Sequence, residues 1–158
     1  MHSVAPSGEA PPEGTLKCPE PRIRNGAELP KDHLALAQRI LVVDDDRSMR
    51  ESVVALLQTD GYDARGVENG REALRVLRAG YDASLVLLDM MMPVMDGWDF
   101  RLAQRHDPTL AKIPVVVLTA VVDPVLEATK LRAVAGFRKP LDVYALLDVV
   151  SEYCPRRR

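Results

Sequence analysis

Four expected strands in this sequence each end on a residue that could do chemistry. ILVV (40–43) runs into Asp44, Asp45 and Asp46; ASLVLL (83–88) ends at Asp89; VVVL (115–118) ends at Thr119; a brief run at 136–138 ends at Lys139 and Pro140. Carboxylates about 4 Å apart repel by roughly 4 kcal/mol at an effective dielectric near 20. Asp44, Asp45 and Asp89, gathered at one place, would therefore require a cation or a shifted pKa. An all-oxygen set beside an open loop suits Mg2+, which keeps several waters and asks for one or two carboxylates. With a lysine and a hydroxyl added, the set serves phosphoryl transfer: positive charge and donors hold the equatorial oxygens while an in-line nucleophile attacks. A carboxylate can itself be that nucleophile, giving an acyl phosphate.

The elements between these residues say how they meet. From Arg39 onward, apolar runs alternate with segments of helical period, the pattern of a parallel sheet covered by helices. Strands are expected at Ile40–Val43, Tyr62–Arg65, Ala83–Leu88, Val115–Leu118 and Gly136–Arg138. The first helix carries Met49, Val53, Leu56 and Leu57 and stops at Gly61; the second follows Asn69-Gly70 and closes at Gly80. A third runs from Trp98 to His106, a fourth starts at Asp123-Pro124, and a fifth, capped by Asp142, carries a stripe of Val143, Leu146, Leu147 and Val150. In a parallel sheet with right-handed crossovers, all strand C-termini lie on one edge, where open α/β sheets bind ligands. Each polar residue has a plainer reading alone: Asp46 as a helix cap, Thr119 as a β-branched strand residue, Lys139 as a surface charge. The plain readings do not explain why all of them end strands.

ILVVDD, LLDMMMPVMDG, LTA and KP, in this order and spacing, resemble the receiver domain of two-component response regulators. The resemblance covers about residues 38–153. It implies a doubly wound, flavodoxin-like (CheY-like) α/β fold: five parallel strands in the order 2-1-3-4-5 with five helices, placing Asp45 beside Asp89. It further implies that Asp89 is the phosphoacceptor and that Asp45 binds Mg2+ directly, with Asp44 holding it through water. Met91 would offer its backbone carbonyl to the metal. Thr119 would bond a phosphoryl oxygen and move on modification, Lys139 would pair with the phosphoryl group, and Lys139–Pro140 would be cis. The chain would then be a signalling phosphoacceptor rather than an enzyme, charged by a sensor histidine kinase or a histidine phosphotransfer protein. Its output would be docking to a downstream protein target or passing the phosphoryl group on. Two features depart from the family: the interval from Thr119 to Lys139 is short, and the position three before the lysine, usually aromatic, is Gly136. Phe137 follows it, so either Phe137 takes over as a switch residue with Thr119, or the switch is altered.

Two rivals remain on the sequence. Asp44-Asp45-Asp46-Arg47-Ser48 resembles the D-x-D-x-S nucleophile motif of haloacid-dehalogenase-like phosphatases, with Asp44 and Asp46 in the catalytic roles, but the later acidic pair is missing and Asp89 is left idle. A receiver fold that docks without phosphorylation is the other.

Composition sets the remaining bounds. Of 158 residues, 47% are hydrophobic and 28% charged, with a formal net charge of −2; this is an ordinary globular balance without a nucleic-acid footprint. Six of the twelve prolines precede residue 31, so residues 1–37 are expected to be a disordered leader. Residues 154–158, with Arg156, Arg157 and Arg158, are expected to form a basic solvated tail. Cys18 and Cys154 give no metal or disulfide pattern. With no signal peptide or spanning run, the expectation is a cytoplasmic protein, monomeric or weakly dimeric. No effector segment follows the last helix, which suggests a stand-alone receiver.

Overall fold

The computed structural model of the chain describes residues 38–156. The leader 1–37 and the last two arginines lie outside the described residues. Five strands alternate with five helices: β1 (Arg39–Val43), α1 (Arg47–Thr59), β2 (Asp63–Val67), α2 (Gly70–Arg78), β3 (Leu85–Asp89), α3 (Gly97–His106), β4 (Val115–Thr119), α4 (Pro124–Leu131), β5 (Ala135–Arg138) and α5 (Val143–Tyr153). All pairings are parallel and the sheet order is β2-β1-β3-β4-β5. This is the expected doubly wound arrangement, in which β1 and β3 lie side by side.

The central strands β1, β3 and β4 carry long aliphatic runs because both faces of the sheet are covered there. Ile40, Val42, Leu85, Leu87, Val116 and Leu118 face α1 and α5, meeting Val53, Leu57, Leu146 and Val150. Leu41, Val43, Val86, Leu88 and Val115 face the other way, onto Leu74 and Leu77 of α2 and Phe100 of α3. Val117 closes on Leu131 of α4. β3 and β4 are buried along their whole length. The last-helix stripe is correct for Leu146, Leu147 and Val150, whereas Val143 is 40% exposed.

Every helix begins on the rim where the strands end, and an Asp or Asn caps each one. Asp46, Asn69, Asp96, Asp123 and Asp142 accept N–H groups from Met49, Glu72, Asp99, Leu126 and Tyr144 with Ala145, at 2.9 to 3.1 Å. Each satisfies donors that the first helical turn leaves unpaired. Asp46 is thus committed to capping α1. At the opposite pole, Gly61 (φ +91°) and Gly80 (φ +100°) end α1 and α2 in the left-handed region that favours glycine. The basic tail folds back at Arg156, which donates to the carbonyl and carboxylate of Asp60 at 3.2 Å and lies over the Tyr62 ring. Arg156 stays exposed to solvent while making these contacts. No helix among the described residues is long and apolar enough to cross a membrane.

Candidate phosphoacceptor site

β1 and β3 lie in register with Val43 beside Leu88, so Asp44, just past β1, comes beside Asp89, the last residue of β3. Carboxylate oxygens of Asp44, Asp45 and Asp89 lie within 4.8 Å of one another. Asp44 is fully buried and Asp89 is 4% exposed, while Asp45 is open to solvent. β5 brings the fourth charge. Lys139 N–H donates to the Thr119 carbonyl at 2.8 Å, extending the β4–β5 pairing by one residue. From there Lys139 Nζ donates to Asp44 Oδ2 at 2.7 Å and lies 3.4 Å from Asp89 Oδ1. The Lys139–Pro140 peptide is cis, as expected.

The second oxygen of Asp44 is also taken, accepting the Asp46 N–H at 2.9 Å. Asp44 is therefore an inward structural carboxylate, while Asp45 and Asp89 keep free coordination capacity. Burial raises the Asp89 carboxyl to about 6, against the pull of Lys139 and aided by the Asp44 charge. For Lys139, burial works against the charge, but the hydrogen bond it donates to Asp44 and both carboxylate charges outweigh it and hold it above the usual lysine range. Three carboxylates against one ammonium leave a deficit of two positive charges in a largely buried site. All available donors are oxygens, so the residues fit a hard divalent cation such as Mg2+.

The segment after β3 is built closely around Asp89. Met91 N–H points at Asp89 Oδ1 from 3.4 Å, a long contact. Gly97 starts α3 directly against the strand end, its N–H bonding the Met90 carbonyl at 3.1 Å. A Cβ there would sit 2.7 Å from the Asp89 carbonyl oxygen, so only glycine fits. Val94, between them, has φ +72°, a costly conformation for a branched side chain. The Met91 side chain is 73% exposed and takes no part in the cluster.

Thr119 ends β4 beside the acidic trio and is 1% exposed; its Oγ1 accepts the Val121 N–H at 3.2 Å. Phe137 does not join it. Phe137 pairs with Leu118 in register and packs on the α1/α5 side of the sheet, opposite to the face that Thr119 shares with Val117. The expected switch role for Phe137 is corrected accordingly. The α4-facing position belongs to Gly136, where a Cβ would run into the Pro124 carbonyl and lie 3.1 Å from Ala128 Cβ. Helix α4 occupies the space that an aromatic side chain would need. Its far end is fixed too: Arg101 of α3, buried, donates to the Leu131 and Arg132 carbonyls at 3.0 and 2.7 Å.

Sequence reasoning missed two residues behind the acidic loop. Arg50 Nη1 donates to the Asp44 carbonyl at 2.7 Å, and its stem crosses β2 at Gly66. A glycine inside a strand is a sign of such a close approach.

The sequence profile described as "Response regulator receiver domain" matches residues 40–151. Sporulation initiation phosphotransferase F of Bacillus subtilis is 32% identical over 120 residues, covering 75% of this chain and 94% of that protein. The DNA-binding response regulator MtrA of Mycobacterium tuberculosis is 41% identical over 90 residues, 57% of this chain; the chain spans 38% of MtrA's length. Among solved structures, the chemotaxis response regulator CheY4 of Vibrio cholerae matches with a TM-score of 0.67 and 29% identity, covering 74% of this chain and 98% of CheY4.

Proposed function

The chain belongs to the response regulator receiver domain family, and from that premise we propose that Asp89 takes up a phosphoryl group in a Mg2+-dependent reaction. The observation that carries the reading is the buried Asp89 carboxylate set between Lys139 and the open Asp45 on one rim. A carboxylate oxygen of Asp89 attacks phosphorus, the new P–O bond forming as the bond to the donor breaks. With a phosphohistidine donor the imidazole leaves and takes up a proton. The product is an acyl phosphate on Asp89. Asp45 and Asp89 would hold Mg2+ directly, Asp44 through water, and Met91 by its carbonyl, and the ion would supply positive charge to the phosphoryl oxygens. Lys139 is proposed to pair with a phosphoryl oxygen, and Thr119 to bond another through Oγ1, giving up the Val121 N–H.

A sensor histidine kinase or a histidine phosphotransfer protein is proposed as the donor. Catalysis by the chain is confined to its own phosphorylation and dephosphorylation. Docking of a downstream protein has support in the apolar surface beside the site: Val122, Val125 and Tyr144 are 80%, 68% and 83% exposed. Against the phosphatase alternative, both oxygens of the buried Asp44 already accept hydrogen bonds and Asp46 caps α1.

The test is incubation with acetyl phosphate and intact-mass measurement. The wild-type chain is expected to gain one phosphoryl unit in Mg2+ and none in EDTA, and Asp89→Asn to gain none under either condition. An unmodified wild-type mass in Mg2+ would reduce the chain to a docking module.

A further inference from the structure

Asp45 is the most exposed of the three clustered carboxylates, and no hydrogen bond from a backbone N–H, Lys or Arg reaches its side chain among the described residues. Its direction is set by the backbone, through the peptide that joins it to Asp44. The nitrogen of Asp44 is tied to the Val67 carbonyl at 3.1 Å, and its carbonyl is tied to Arg50 Nη1 at 2.7 Å. We propose that Arg50 is a positioning residue for the metal site: its guanidinium fixes the Asp44–Asp45 peptide, and Gly66 provides the gap through which its stem reaches it.

Three observations support this. The bond from Arg50 to the Asp44 carbonyl is short and partly buried, and no carboxylate lies within ion-pair distance of Arg50 among the described residues. A Cβ at position 66 would lie 2.8 Å from Arg50 Cγ and 3.0 Å from Cδ, so any side chain there displaces the arginine. Arg50 also belongs to the same first turns of α1 that Asp46 caps, its own N–H bonding the Asp46 carbonyl at 2.9 Å. Helix, loop and edge strand are thus locked together behind the carboxylates. Partners of this kind, one step behind the ligands, are worth about ten- to a hundredfold in metal affinity where they have been removed.

The inference rests on the Mg2+ reading above, and calorimetric titration of the full chain with Mg2+ separates the two. Charge alone would act in the opposite sense, since deleting a cation near a dication site strengthens binding. Arg50→Met, which keeps the stem and loses the donor, is expected to weaken Mg2+ binding about tenfold. Gly66→Ala keeps every charge and is expected to weaken it in the same direction. A merely structural role would lower the unfolding midpoint and leave the dissociation constant unchanged. Wild-type binding with Arg50→Met equal or tighter overturns the positioning role; should that variant fail to fold, Gly66→Ala decides by the same criterion. No binding by the wild type removes the metal reading and this inference with it.

Discussion

Lys139→Met is expected to destabilise the metal-free protein by about 3 kcal/mol at neutral pH, because it breaks a buried ion pair from one side only. Asp44 and Asp89 have side chains 1% and 6% exposed, and Lys139 is the sole cation within 4 Å of either among the described residues. Methionine fills the same channel without a charge and leaves two carboxylates facing each other. The loss should shrink towards pH 5, where Asp89 takes up a proton. Added Mg2+ should restore part of it, since whatever binds only the folded state stabilises that state. Urea unfolding at two pH values, with and without Mg2+, measures all of this. A variant as stable as wild type at neutral pH would mean that Lys139 does not hold the cluster together.

Asp89→Asn should act with the opposite sign. The folded-state carboxyl sits at about 6 against an ordinary 3.8, with burial as the leading cause. A raised pKa means the folded state holds the proton more tightly. The stability it contributes is complete below about 3.8 and is lost as the pH rises through about 6. That displacement corresponds to about 3 kcal/mol. Asparagine resembles the neutral acid at every pH, so the variant should be more stable than metal-free wild type by about 2 kcal/mol at pH 8. The gain should vanish near pH 4. In Mg2+ the order should narrow or reverse, because wild type gains a ligand and the variant loses one of its oxygen donors. A substitution in the candidate site that stabilises the protein marks strain kept there for chemistry. Equal stability at pH 8 would show that Asp89 carries no such strain.

The fold was legible where one physical cause acts alone. β3 and β4 are buried on both faces, and their uninterrupted aliphatic runs show it. The caps Asp46, Asp123 and Asp142 were legible because a short polar side chain before a helical pattern has one local partner. Strand ends were short by a residue or two because backbone pairing, which side chains do not encode, carries β2 to Val67 and β4 to Thr119.

The parity of β5 was not legible. Whether Gly136 or Phe137 faces α4 depends on register with β4, and the pairing of Leu118 with Phe137 places the aromatic on the other side. A shortened loop in the sequence could not decide that. Arg50 was missed for a related reason: its partner is a main-chain carbonyl, which every residue possesses. Arg156 lies in solvent as its charge implied, but its contacts with Asp60 and Tyr62 were not legible, because they depend on where the chain end returns. The acidic trio was legible as a set because only a shared site explains strand ends that otherwise repel.

The central claim is that Asp89, and no other aspartate of the rim, becomes an acyl phosphate. Borohydride reduces an acyl phosphate to the alcohol, so phosphorylated chain treated this way and mapped by peptide mass spectrometry records the modified position. The account predicts homoserine at residue 89 alone, formed in Mg2+ and absent in EDTA. Homoserine at 44 or 46, or none at all in Mg2+, would contradict it.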